Sequence, residues 1–331
     1  MKKPVIAFVT GGYSSESVIS YKSAITIEKN IDRELFEIYR IDITPEKWFH
    51  PGVGGSEFVI DKNDFSFNLN GQKIIFDAVL IGIHGTPGED GKLQGYFDLM
   101  GLPYTSCDAA TSAITFNKRY TCAIAGASGF NVSKSILLFK HNIAADIFKI
   151  REMKFPLFVK PNNGGSSIGI SKVNIPEDLD SAIEKAFLED DQVLVEEFIK
   201  GREFTIGVFK SEDKIITLPI TEIVTQNDFF DFEAKYQGKS TEFTPAQCDI
   251  SISDQVNAAA EGIYTLFNCN GVVRMDFIYN EIESKPYLLE INTVPGQSAA
   301  SIVPQQVAAA GLELKTFYSM LINNSLALKK K

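Results

Sequence analysis

The sequence predicts a mixed protein, part α/β and part α+β, with an open parallel α/β unit first and antiparallel strands after it. Three observations carry this. Apolar runs at Val5 to Thr10 and Asp77 to Ile83 end in glycine-rich loops followed by helix-like sequence, as strands of a parallel sheet do. Gln192 to Ile199, Phe204 to Lys210 and Ile215 to Ile223 then read as successive strands of an antiparallel sheet. Near the end, Gly271 to Tyr279 and Tyr287 to Gly296 each alternate polar and apolar residues, with Asn280 to Pro286 as the turn of a hairpin.

At 331 residues the chain is long for one core and predicts two or three domains. A net charge of −10 argues against nucleic acid or an anionic membrane as the main partner, since both demand basic surface. No apolar run approaches a membrane span. Met1-Lys-Lys precedes a run that breaks at Gly11-Gly12 without a cleavage-like tail, so it reads as a first strand and not a signal peptide. Cys107, Cys122, Cys248 and Cys269 stand far apart, which predicts free thiols in a cytoplasmic protein, with neither zinc site nor disulfide framework.

The first strand runs into Gly11-Gly-Tyr-Ser-Ser-Glu-Ser17 and a helix to about Asn30, capped by Ser14 or Ser15. That loop lies at the strand's carboxyl end, where open sheets bind ligands, and carries Glu16 into the crevice. It lacks a P-loop lysine and the full dinucleotide spacing, and a loop of this kind taken alone is more often a simple turn. Leu35 to Ile41 is the second strand, followed by a turn-rich stretch without pattern to about Gly71. The Asp77 run ends in HGTPGEDG at His84, and Lys92 to Met100 is a helix stopped by Gly101. His84, beside two carboxylates, is either a ligand-site residue or a structural cap.

Asp108 to Ala125 is helical in pattern and contains Lys118, which local sequence leaves as a solvated side chain. Phe155 to Lys160 is a strand closed by a lysine, Pro161 to Gly169 a glycine and serine loop, and Ile170 to Val173 the return strand. The loop is either a flexible hairpin tip or a flap that closes over phosphates held by Lys160. Pro176 to Asp190 is a helix with an acidic first turn. After Glu196-Glu197-Phe198-Ile199, exposed backbone suits an adenine edge and Glu203 a ribose; the same acids also fit edge-strand charges. Gln226 to Thr244 mixes aromatics and charges over the length of a lid. Ser253 caps a helix to about Asn268, and Gln297 to Pro304 leads into a terminal helix and a lysine tail.

Within the hairpin, Arg274 and Asp276 share a face of one strand, and Glu290 and Asn292 a face of the other. Pairing brings one cation and three oxygen donors together and turns Met275, Phe277, Leu289 and Ile291 towards the core. Three hard donors suit Mg²⁺, with Mn²⁺ as an alternative; a surface hairpin with solvated charges fits the same residues.

Taken in order, HGTPGEDG at His84, the strand lysine Lys160 with its GGSSIG loop, EAKY at Glu233 and RMDF…LLEINTVPG resemble the D-alanine:D-alanine ligases of the ATP-grasp superfamily, from Gly11 to Pro304. The resemblance implies an ATP-grasp fold behind an N-terminal α/β domain, divided as 1–106, 107–195 and 196–331, and a homodimer in the cytoplasm. By matching position, Asp276, Glu290 and Asn292 become metal ligands. Lys118, Lys160 and Lys235 become phosphate binders, Glu196 with the backbone of Glu197, Phe198 and Ile199 the adenine contacts, and Glu203 the ribose contact. Glu16 would bind the first D-alanine's ammonium, in a hydrogen-bonded set with Ser166 and Tyr236, with His84 nearby. Arg274 and the Gly296 N–H would hold the oxyanion, and Ser301 with Ile302 the second D-alanine's carboxylate. Two departures stand out: Asn162-Asn163 where relatives often have an acid, and Ala299-Ala300 where they often have Thr or His. A relative with a different second substrate, such as D-lactate, and a non-catalytic Mg-ATP-binding regulator are the alternatives, and Tyr236 favours D-alanine over the first.

Overall fold

The computed structural model describes residues 2–143, 146–164, 169–225 and 240–328. Its first sheet has the order β4-β3-β2-β1-β7. β1 (Val5–Gly11) is buried along its whole length and lies parallel to both β2 (Glu37–Ile43) and β7 (Ala78–Ile81). β3 (Trp48–Pro51) and β4 (Glu57–Val59) extend the sheet antiparallel, and β5 (Phe67–Leu69) pairs with β6 (Gln72–Ile74) as a separate ribbon. The stretch from 44 to 71 is therefore built, although it shows no alternation. Its order comes from aromatic packing instead: Trp48, Phe65, Phe67 and Phe76 are buried, with Trp48 edge-on to Phe65, Phe65 tilted against Phe76 and Phe67 stacked on Phe76.

Because β1 is central, both its faces need cover. Val5, Ala7 and Val9 face the aromatic cluster, while Ile6 and Phe8 face α1 (Ser17–Asn30) through Ala24 and Ile27. That second face also receives residues from the far end of the chain, among them Val303, Val307, Phe317 and Leu321. The helix α1 begins after Glu16, not at a serine cap; Ser14 Oγ instead accepts the Glu16 N–H at 3.3 Å.

The predicted single helix from Asp108 is two, α2 (Lys92–Leu99) being followed by α3 (Ala109–Phe116) and α4 (Lys118–Ala127). Asn117 breaks it: its backbone is extended and its side chain accepts the Tyr120 N–H at 3.0 Å, so it caps the second helix. A four-stranded antiparallel sheet follows, ordered β10-β9-β11-β8, from β8 (Ser135–Phe139), β9 (Leu157–Pro161), β10 (Ser171–Val173) and β11 (Gln192–Glu197). α5 (Ile147–Arg151) and α6 (Leu179–Ala186) pack on it; Pro176–Asp178 forms a 3₁₀ turn ahead of α6, shortening the predicted helix.

The third sheet is antiparallel, with the path β15-β14-β12-β16-β17 and β13 alongside β12. Its strands are β12 (Arg202–Ser211), β13 (Lys214–Thr217), β14 (Thr221–Thr225), β15 (Ser240–Phe243), β16 (Val272–Asn280) and β17 (Lys285–Asn292). α7 (Ile250–Leu266) covers its outer face and starts after Asp249, three residues before the predicted serine. Cys107 and Ala125 share that core. α8 (Ile302–Ala309) and α9 (Leu314–Leu328) then cross to the first sheet.

Candidate active site

The hairpin pairs as predicted: Arg274 lies opposite Asn292 and Asp276 opposite Glu290. Met275, Phe277 and Ile291 are buried in the core. Leu289 is not. The register slips between Asp276 and Phe277, so Phe277 pairs with Leu288, and Leu288 fills the core position while Leu289 joins Glu290 on the open face. A β-bulge of this kind re-aims one side chain and leaves no trace in the alternation of a single strand.

The open face of the third sheet is the floor of two adjoining clefts. Arg274 makes a two-pronged ion pair with Asp276 (3.0 and 2.9 Å) and reaches Glu290 at 3.9 Å. Thr205, the cross-strand neighbour of Asp276 on β12, donates its hydroxyl to Asp276 Oδ1, and Asn292 Oδ1 accepts the Val294 N–H at 3.2 Å. Among the described residues there is no metal-holding cluster of three or more His, Cys, Asp or Glu side chains. The donor set here is two carboxylates and one amide oxygen, which fits Mg²⁺, an ion that keeps waters and shares phosphate oxygens.

One cleft, about 430 Å³, opens between the second and third sheets and is lined by Phe158, Phe198, Ile278 and Leu289 together with Lys160, Glu196 and Glu203. Lys160 and Glu196 are buried and meet at 2.5 Å. Burial opposes the lysine's charge, but Glu196 outweighs it and holds the Lys160 ammonium above its ordinary value. The Glu197 N–H donates to Lys134 O and the Phe198 N–H to Pro156 O, so both groups of the segment expected at an adenine edge are engaged within the protein. Lys118 Nζ donates to Gly164 O at 2.6 Å. The base of the glycine loop is stapled as well: Asn162 Oδ1 accepts the Arg119 N–H, and Asn163 donates from its backbone and side chain to Asp190.

The second cleft, about 380 Å³, takes in Glu16, His84, Glu89, Arg274, Asn292, Gly296, Ser301 and Ile302. Lys118 and Glu290 line both clefts. His84 Nε2 bonds Ser23 Oγ at 2.9 Å and its N–H donates to Ser20 Oγ at 2.9 Å. Burial, aided by the Arg274 charge, lowers its pKa to about 4, so the imidazole is neutral near pH 7. Glu16 packs against Gly85, whose φ is +66° and where any Cβ would collide with the Glu16 carboxylate; only glycine fits. Ser301 Oγ accepts the Ser298 N–H at 3.0 Å and sits where a Cβ on Gly296 would approach to 2.8 Å.

Two lining carboxylates went unassigned in the sequence. Glu89, the acid of HGTPGEDG, is buried and accepts the Gly85 N–H at 2.6 Å. Burial, reinforced by the Glu16 charge, raises its pKa to about 8. Its signal was the loop that already drew attention to His84. Glu242 offered none, because its place depends on strand pairing. Ser166, Lys235 and Tyr236, and the lid segment up to residue 239, lie outside the described residues. The four cysteines are free, and no helix among the described residues is long and apolar enough to cross a membrane.

The arrangement matches known proteins along its whole length. Residues 5–107 match the family model described as D-ala D-ala ligase N-terminus, and residues 126–323 the model of its C-terminus. The D-alanine–D-alanine ligase of Phocaeicola vulgatus is 47% identical over 97% of this chain and 99% of its own length. That of Flavobacterium johnsoniae is 44% identical over 97% and 99%. Among solved structures, the VanG D-Ala:D-Ser ligase from Enterococcus faecalis superposes with a TM-score of 0.88 at 32% identity, covering 97% of this chain and 99% of that one. The ligase from Bacillus anthracis complexed with ATP gives 0.77 at 28% identity, covering 99% of each. The chain belongs to the D-alanine:D-alanine ligase family and has its ATP-grasp fold.

Proposed function

We propose that this protein joins two D-alanine molecules at the expense of ATP, which is cleaved to ADP and phosphate, for peptidoglycan precursor synthesis. The observation that carries the reading is the shared border: a nucleotide-sized cleft and an amino-acid cleft meet at Lys118 and Glu290, above Arg274 and Asp276. ATP lies in the first cleft, its adenine towards Ile199 and its ribose at Glu203, with Lys118, Lys160 and Lys235 on its phosphates. The first D-alanine lies in the second cleft, its ammonium at Glu16 and beside the neutral His84, with Ser166 and Tyr236 completing that set. Its carboxylate attacks the γ-phosphate, the bond to ADP breaks, and an acyl phosphate forms.

The second D-alanine, its carboxylate at Ser301 and Ile302, gives up an ammonium proton to water and attacks the acyl carbon through the resulting amine, whose remaining excess proton leaves with the phosphate. The tetrahedral oxyanion is held by Arg274 and the Gly296 N–H, and collapse expels phosphate. Neither step requires a protein nucleophile; positioning, charge neutralisation and exclusion of water supply the rate. Mg²⁺ held by Asp276, Glu290 and Asn292 would neutralise the charge that develops on the phosphates, and Mn²⁺ has the same hard-donor chemistry. We further assign the units 1–106, 107–195 and 196–331 as substrate-binding, central and C-terminal domains, and a homodimer in the cytoplasm.

The test is ADP release with D-alanine alone and with D-serine or D-lactate added, scored by product mass. D-alanyl-D-alanine as the main product supports the reading. ADP release only when a different second substrate is added would replace it with a ligase of altered specificity, and ATP binding without ADP release would make the chain a regulator.

A further inference from the structure

An α-amino acid carries its ammonium and its carboxylate on one carbon, so a site for it needs a cation holder and an anion holder side by side. At the first substrate's position Glu16 supplies the former. Glu242 lines the same cleft. The pairing of β15 with β14 and of β14 with β12 puts Glu242 in one row with Ile223 and Glu203, on the site face of the third sheet. It lines the amino-acid cleft together with Ser298, Ala300, Ser301 and Ile302.

Glu242 is fixed in place there. Gln305, one turn into α8, donates through Nε2 to Glu242 Oε2 at 2.7 Å and to Ala300 O at 3.2 Å. A single amide thus clamps an acidic side chain beside the loop that ends at the α8 N-terminus, where N–H groups and the helix dipole favour an anion. The other acids of the cleft are engaged elsewhere: Glu290 lies in the Arg274 and Asp276 row, and Glu89 is buried against Gly85 next to Glu16.

Resting on the ligase reading above, we propose that Glu242 is a specificity-determining residue for the second substrate. Its carboxylate holds the incoming ammonium while the α8 N-terminus holds the carboxylate. A D-amino acid satisfies both, whereas a D-hydroxy acid presents a neutral hydroxyl to Glu242 and forfeits the ion pair, keeping only an O–H···O⁻ bond. Selection of amine over alcohol is then built into the sheet edge, and Gln305 is its positioning residue.

The test compares the wild type with Glu242→Gln, Glu242→Asp and Gln305→Met, each checked for wild-type thermal melting. ADP release gives the KM for ATP and for each D-alanine site, and product mass gives the ratio of dipeptide to ester with D-alanine and D-lactate together. Glu242→Gln is expected to raise the second-site KM by about tenfold to a hundredfold while the other two stay within about twofold. The ester share rises in the same variant, Glu242→Asp recovers part of the loss, and Gln305→Met shifts the second-site KM in the same direction by about threefold. Should Glu242→Gln fail to fold, the Gln305→Met result decides. An equal rise in all three KM values, or an unchanged second-site KM and product ratio, overturns the proposal while leaving the ligase reading intact. A wild type that releases no ADP with D-alanine overturns both.

Discussion

The nucleotide cleft and the amino-acid cleft meet at two residues but are assembled differently. The first is a gap between two sheets, and its charged side chains project from regular strands, Lys160 and Glu196 from β9 and β11, Glu203 from β12. Lys160 and Glu196 neutralise one another there at 2.5 Å, although acids outnumber cations among the lining residues. The second is stitched from loops and element ends far apart in sequence: Glu16, His84 to Glu89, Glu242, and Gly296 to Ile302. Several of its acids crowd together, and Glu89 takes up a proton more readily than a free carboxyl because of burial and Glu16. The nucleotide site is thus preformed by strand geometry, and the substrate site depends on how separate parts of the chain pack. That contrast predicts where each region is fragile.

The largest effect should come from Lys160→Ala, which removes the charge proposed to hold phosphate and strands Glu196. Turnover is expected to drop by about a thousandfold or more, with stability lowered by about 3 to 5 kcal/mol. The double variant Lys160→Met with Glu196→Gln should recover most of the melting temperature but not the activity. Recovery of both would remove the pair from the nucleotide site.

His84 tests the packed loops. Its folded pKa of about 4 lies below the ordinary 6.5, so the unfolded chain binds the proton first. The stability this gives is complete above about pH 6.5 and is lost as pH falls towards 4, a change of roughly 3 kcal/mol. Denaturant unfolding at pH 7 and pH 4.5 should show the loss in the wild type and a flatter profile in His84→Asn; parallel profiles would place the acid sensitivity elsewhere. Glu16→Gln should raise the KM for the first D-alanine by about tenfold to a hundredfold and leave that for ATP within about twofold. An equal change in both would mean the two clefts are one mechanical unit. The smallest effect is expected for Thr205→Val, which deletes the hydroxyl bonded to Asp276: about 1 kcal/mol of stability and about a fivefold loss of turnover. A larger loss would show that the floor, too, depends on packing.

The same contrast governs how much could be read beforehand. Strands announce themselves by alternation, so Arg274, Asp276, Glu290 and Asn292 were legible as one row, and β16 and β17 pair accordingly. The bulge that moves Leu289 from core to cleft was not, because register is a property of two strands. Glu242 was hidden for a related reason: it acquires meaning only when β15 pairs with β14 and Gln305 arrives from α8. Between residues 44 and 71 the aromatic side chains pack edge-on and stacked in three dimensions without a period of two, so no pattern search finds β3 to β6. The break at Asn117 rests on one side-chain cap within an otherwise helical pattern.

The packing of α8 and α9 against the face of β1 has a consequence for how the molecule is made. Ile6 and Phe8 leave the ribosome long before Val303 to Ile322, which complete their cover. During synthesis the first sheet must wait with one face only partly shielded. Any chain halted before residue 303 would carry that bare surface permanently, and quality-control proteases and chaperones recognise such surfaces. The start of α8, which lines the smaller cleft through Ser301 and Ile302, belongs to the same segment, so that cleft is complete only once synthesis has passed that point.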